Sequence, residues 1–133
     1  MSFLDRFGYP RPIALIALIA SSFGAALVQA AGPDTNPVPS NAQSVAAGRQ
    51  IFMVNCSACH GPDGRARVQA MASATDLTHP EWFKKGSSDA AIFDGIQNGV
   101  GNGMPPHKEI LSTAETWKVI TFIRSIQALA KTQ

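Results

Sequence analysis

Apolar positions recur at helical spacing in two stretches of this chain. In residues 44–55, Val45, Gly48, Ile51 and Phe52 fall on one helix face, with Ser44 placed to cap its start. Further on, Ser112-Thr113-Ala114-Glu115 has the form of a capping box. Behind it Val119, Phe122, Ile123 and Ile126 make an apolar stripe, widened by Trp117 and Ile120, which predicts a last helix over residues 113–130. Between the two, Thr78-His79-Pro80-Glu81 predicts a short helix through about residue 85. Ser87 or Ser88 then caps another from Asp89, carrying Ile92, Phe93 and Ile96 inward and ending at Gly99. Asn98-Gly99 and Asn102-Gly103 are hairpin dipeptides, yet no alternating strands flank them. The pattern is all-α. Gly48 is the irregular position, because glycine inside a helix costs about 1 kcal/mol relative to alanine. Close approach of a second helix would account for it.

The N-terminus follows a different rule. Arg6 and Arg11 precede an uncharged, mostly apolar run over residues 13–28, and Val28-Gln29-Ala30 offers small residues where a signal peptidase reads. Residues 1–30 are therefore expected to be an export signal, with an uncleaved membrane anchor as the rival. Pro33, Pro37 and Pro39 then break any regular structure, so residues 31–43 are expected to form a Pro-rich tail or tether. Residues 44–133 remain as one domain, exported to the periplasm or anchored facing it. The chain has 133 residues, 45% of them hydrophobic and 15% charged, in keeping with one globular domain behind an apolar leader. Eleven basic residues stand against 9 acidic ones without a basic stripe interleaved with aromatics, which excludes a nucleic-acid partner.

Chemistry concentrates at Cys56-Ser57-Ala58-Cys59-His60, the only two cysteines of the chain followed at once by histidine. C-x-x-C-H is the attachment motif of c-type haem. Each thiol adds to a haem vinyl group, and the adjacent imidazole reaches the iron from the same side. Three other readings compete. A thioredoxin-like pair needs a neighbouring βαβ pattern, which the chain lacks. A zinc site would have to recruit His79 and His107 at spacings that match no common finger or ribbon. A small disulfide, or two unreactive thiols, is the third.

A second axial ligand can be sought among the methionines and histidines. Met104 stands between glycines and prolines that hold a loop flat, and thioether sulfur is a soft, neutral ligand suited to haem iron. Met53 lies one turn before Cys56 and cannot easily reach the far face, while Met71 is a rival from a loop. His107, three residues beyond Met104, is the sharper rival and would give bis-histidine iron of lower potential. The residues alone leave Met104 against His107 open. His79 reads as a surface residue, and Trp82, Arg65 and Arg67 are candidates for the haem propionates or, equally, for rim packing.

Several motifs taken together resemble the class I c-type cytochromes, in particular the small single-haem bacterial kind. They are Gly48-Arg49-Gln50-Ile51-Phe52, Cys56-Ser57-Ala58-Cys59-His60-Gly61, Ala74-Thr75-Asp76-Leu77-Thr78, and Asn98-Gly99-Val100 with Gly103-Met104-Pro105-Pro106. Val119 and Phe122 complete the set on the last helix, and the likeness covers about residues 44–130. The resemblance implies an all-α cytochrome c fold, N- and C-terminal helices packed across each other with short middle helices around one haem. It implies a single covalent haem c held by Cys56 and Cys59, with His60 and Met104 as the axial ligands of its iron. A backbone carbonyl after the motif should accept the other ring N–H of His60, although no residue here matches cleanly. The implied work is electron transfer, Fe(II)/Fe(III) cycling between a redox protein donor and acceptor of a respiratory or dehydrogenase chain, with a membrane-bound redox complex as a further partner. On that reading the chain is a carrier, not an enzyme. A peroxidase-like or sensor role is the alternative if the distal ligand is labile.

Overall fold

The computed structural model describes residues 34–68 and 73–133. The expected signal or anchor, residues 1–30, lies outside the described residues, as does Met71. Four α-helices follow one another among the described residues: α1 (Ala42–Asn55), α2 (Ser57–His60), α3 (Asp89–Asn98) and α4 (Thr113–Ala130). Among the described residues there is no strand, only an isolated bridge between Val100 and Met104. The all-α expectation holds.

Helix α1 begins earlier than its apolar pattern suggested. The Asn41 side chain, not Ser44, is the cap, accepting the Ser44 backbone N–H at 2.9 Å. Asparagine caps at least as well as serine, and Ala42 and Gln43 are good helix formers that extend the helix back towards Pro39. The helix expected over 79–85 is reduced to one 3-10 turn, Pro80–Trp82. Its capping box never closes: the Thr78 hydroxyl donates to Asp76 at 2.6 Å and Glu81 turns to His79 at 2.8 Å. Local side-chain bonds compete successfully with the helix there. The other two caps form as the sequence indicates. Ser88 accepts the Ala91 N–H, and Ser112 and Glu115 form a reciprocal capping box.

Helices α1 and α4 cross at the centre of the domain. Phe52 on α1 and Val119 and Ile120 on α4 are fully buried, and the Phe52 and Phe122 rings meet at 5.0 Å. A Cβ on Gly48 would overlap the Lys118 carbonyl oxygen, so glycine is what lets the backbones approach. Helix α3 packs on α4 through the stacked rings of Phe93 and Trp117, 4.4 Å apart. Polar groups inside this core are partnered: Gln97 donates to the Thr116 hydroxyl at 2.7 Å, and Gln127 to the Leu77 carbonyl at 3.0 Å.

The described part of the Pro-rich stretch is not a free tether. Asn36 Nδ2 donates to the Trp117 carbonyl and to the Thr121 hydroxyl, both at 2.9 Å, while its backbone N–H donates to Asp89 at 2.8 Å. Its Oδ1 accepts the Val38 N–H, and Val38 packs against the core. The folded unit therefore starts before Ser44. Proline spacing shows that a segment is extended, but not that a helix elsewhere presents a matching donor and acceptor set.

Candidate functional site

The C-terminal turn of α1 runs directly into the Cys56–His60 motif. Cys56 N–H still closes the α1 ladder on the Phe52 carbonyl at 2.9 Å. The Cys56 carbonyl then accepts from both Cys59 and His60, at 3.1 and 2.9 Å, winding the motif into α2. Gly61, at φ 74°, takes the chain out of the turn. One turn of helix thus brings Cys56, Cys59 and His60 onto the wall of a single cavity of about 250 Å³. The rest of that wall is mainly apolar, with Phe52, Leu77, Phe83, Ile96, Val119 and Ile123 among its residues.

His60 Nδ1 lies 2.9 Å from the Thr75 carbonyl oxygen. A carbonyl only accepts, so Nδ1 carries the hydrogen and Nε2 keeps its lone pair. Burial lowers the His60 pKa, the Thr75 bond opposes that, and the charge of His107 lowers it further. Burial wins, so the imidazole is neutral and able to ligate. The acceptor reaches His60 because Ala66 N–H bonds the His60 carbonyl at 2.8 Å and Leu77 N–H bonds Gly64 at 2.7 Å, folding the loop back. Thr75 is the carbonyl that the sequence left without a number.

The Cys56 thiol is pushed up to about 11, first by burial and then by the neighbouring Cys59. A redox-active C-x-x-C pair has its leading thiol lowered instead. The two sulfurs are not joined to each other. Among the described residues, no group of three His, Cys, Asp or Glu side chains is gathered as a metal site.

Met104 reaches the same cavity from the loop after α3. The loop is pinned by two bonds, Val100 N–H to Met104 O at 3.0 Å and Met104 N–H to Val100 O at 3.3 Å. Gly99 lies tight beneath it at φ 79°, where a Cβ would stand 2.5 Å from the Met104 oxygen. His107 also lines the cavity, whereas Met53 does not. His79 is elsewhere: it stacks on Trp82 at 4.1 Å and pairs with Glu81. Trp82, Arg65 and Arg67 are not on the cavity wall, and the cations that line it are Lys84 and Lys85. Lys85 is bound to Asp94 at 2.5 Å. Nothing in the sequence marks this pair, because two lysines before a helix cap read as solvated charge.

These residues fit haem c. Two thiols and a neutral imidazole share one wall of an apolar cavity, and a thioether joins them from a separate loop. No buried side-chain nitrogen or oxygen among the described residues lacks a partner, so the cavity suits a flat, largely apolar group.

The family model for cytochrome c oxidase, cbb3-type, subunit III matches residues 43–123. That span holds the cysteine motif, Met104 and most of α4. The chain belongs to this family of c-type cytochromes. Among curated relatives of this cytochrome, the cbb3-type cytochrome c oxidase subunit CcoP of Rhodobacter capsulatus is 33% identical over 95 residues, which are 66% of this chain and 31% of that protein. The FixP subunit of Rhizobium etli is 39% identical over 54 residues, 41% of this chain and 18% of its own. The match thus spans under a third of the length of either relative. Among solved structures, cytochrome cL from Hyphomicrobium denitrificans superposes with a TM-score of 0.56 at 29% identity, covering 63% of this chain and 48% of that one. A Kuenenia stuttgartiensis reducing HAO-like protein complex shares the fold, with a TM-score of 0.62 at 24% identity over 72% of this chain and 48% of that one. The cytochrome therefore has the cytochrome c fold, and haem-based electron transfer is the work of such a domain.

Proposed function

We propose that this cytochrome carries one haem c on Cys56 and Cys59, with His60 and Met104 as axial ligands, and relays single electrons between redox proteins. The observation that carries the reading is the meeting of all four side chains on one apolar cavity. When bound, the haem supplies an iron that alternates between ferrous and ferric states. The chain supplies everything around it. The two thiols hold the ring at both vinyl positions. The Thr75 carbonyl fixes the His60 ring and raises the basicity of Nε2. The Met104 thioether is soft and uncharged, which favours ferrous iron and a high potential. Phe52, Val119 and Ile123 exclude water from the ring. With both axial positions taken by side chains, no substrate site or catalytic base is required, so the domain acts as a carrier rather than as an enzyme in its own right.

Residues 1–30 are proposed to export the domain to the periplasm or to anchor it there, ahead of a Pro-rich segment whose later part, from Asn36, is already fastened to the haem domain. A basic start, an apolar run and small residues at a cleavage position support that reading. The relatives FixP and CcoP are named as cbb3-type cytochrome c oxidase subunits, and a membrane-bound oxidase of that kind is the proposed partner.

Met104→Ala tests the centre of this proposal. The variant is expected to lose the near-infrared methionine-to-ferric-iron charge-transfer band and to drop in potential by on the order of 0.1 V. Unchanged spectra would remove Met104 from the iron. For location, sedimentation of the protein with native membranes indicates an anchor, and full release by osmotic shock indicates cleavage.

A further inference from the structure

We propose that His107 is a reserve ligand for the haem iron, taking the position of Met104 when the thioether leaves. The inference rests on the reading of His60 and Met104 as the resident pair.

Two histidines line the cavity, and both are prepared in the same way. His107 Nδ1 lies 2.9 Å from the Pro105 carbonyl oxygen, just as His60 Nδ1 lies 2.9 Å from that of Thr75. A carbonyl cannot donate, so in each ring Nδ1 carries the hydrogen, and Nε2 is the nitrogen left to act as a donor to iron. A ring whose second nitrogen donates to a backbone carbonyl is the arrangement that orients metal-ligating histidines and strengthens their donor nitrogen. The third histidine, away from the cavity, is different: His79 Nδ1 faces the Glu81 carboxylate.

Anchorage separates His107 from Met104. The His107 N–H bonds the Ile96 carbonyl at 3.0 Å, and its own carbonyl accepts from Ile110 and Leu111 at 2.9 and 2.8 Å. None of these bonds involves Met104. Gly101 and Gly103, between Val100 and Met104, are loosely packed: an added Cβ would meet nothing within 4 Å. In the proposed exchange Met104 moves on this loosely packed side, while His107 stays on its own bonds. In the exchange the Sδ–iron bond breaks and an Nε2–iron bond forms, one lone pair replacing another, with no net transfer of a proton or an electron. Nitrogen favours ferric iron more than sulfur does, so the exchange lowers the potential and holds the domain oxidised.

The test compares haem-loaded Met104→Leu with the double variant Met104→Leu/His107→Ala, at matched haem content and far-ultraviolet circular dichroism. In the single variant, ferric electron paramagnetic resonance should show a low-spin, two-nitrogen signal, without the methionine band, and added imidazole should bind poorly. The double variant should turn high-spin and bind imidazole at least tenfold more tightly. Met104→Ala supplies the same comparison if leucine impairs haem uptake. A single variant that is already high-spin and binds imidazole like the double one overturns the reserve role, while loss of the methionine band still upholds Met104. Identical spectra for wild type and Met104→Leu, both lacking that band, overturn the resident pair and the reserve role together.

Discussion

Gly48 and Lys118 meet backbone to backbone, the Gly48 Cα lying so close to the Lys118 carbonyl that no side chain fits between them. A methyl group at Gly48 would also stand 3.1 Å from Phe122 Cβ. Neither neighbour can rotate out of the way, because one is main chain and the other begins a side chain buried at the crossing. Gly48→Ala is therefore expected to cost about 3 kcal/mol despite the better helix propensity of alanine. The guanidinium midpoint of the haem-loaded protein measures it, and a midpoint equal to wild type would contradict the close crossing.

Loss of either cysteine should leave a single thioether. Cys56→Ala and Cys59→Ala are each expected to retain haem on the polypeptide through acid-acetone extraction, with the pyridine haemochrome band displaced towards that of free haem. The double substitution is expected to release all of it. Intact-mass spectrometry decides the point, and haem retained by the double variant would show attachment elsewhere.

Acid should weaken the start of α4. The Ser112 hydroxyl and backbone N–H hold the Glu115 carboxyl below its usual 4.5. A depressed carboxyl pKa means that the unfolded chain binds the proton more readily, so the stabilisation is present above pH 4.5 and is lost as pH falls through the folded value. Asp94, lowered from 3.8 by Lys85 and Asn98, adds to the same limb. Glu115→Gln should flatten stability against pH on the acid side, as followed by urea unfolding. Ser112→Ala removes the cap itself, at a cost of about 1 kcal/mol that should persist at neutral pH.

How much of this was legible in the sequence depends on the range of the interaction. Helices α3 and α4 could be read because Ser88, Gly99 and the Ser112–Glu115 box act on their own turns. Gly48 announced a close neighbour by being in the wrong place for a helix, and α4 proved to be that neighbour. The start of α1 is not fixed by pattern alone, because Asn41 and Ser44 are both good caps and the structure uses Asn41. Thr75 could not be picked out, since every residue of its loop offers an identical carbonyl. Charge alone does not separate Lys84 and Lys85, which line the cavity, from Arg65 and Arg67, which do not, because facing a cavity is decided by loop geometry.

Asn36 was invisible for the same reason, and it can be tested directly. Its side chain makes three hydrogen bonds and its backbone one more, all tying the chain before α1 to α3, α4 or its own turn. Asn36→Ala removes the side-chain bonds and leaves the Trp117 carbonyl without that donor. The expected cost is about 2 kcal/mol. Limited proteolysis should then cut between residues 34 and 41 faster than in wild type. An unchanged cleavage rate would mean the clasp does not hold that segment in solution.

Where Asn36 is fastened also sets how far the domain can roam. A protein moored in a bilayer samples a dome whose radius is the length of slack chain between mooring and body. Moving the point of attachment from Asn41 back to Asn36 takes about 17 Å from that radius, at roughly 3.4 Å per extended residue. Should residues 1–30 stay in the membrane, the haem domain would sample a correspondingly smaller volume. Volume falls with the cube of the radius, so a partner in the same membrane would meet it at a higher effective concentration, and one diffusing freely in the compartment would gain nothing.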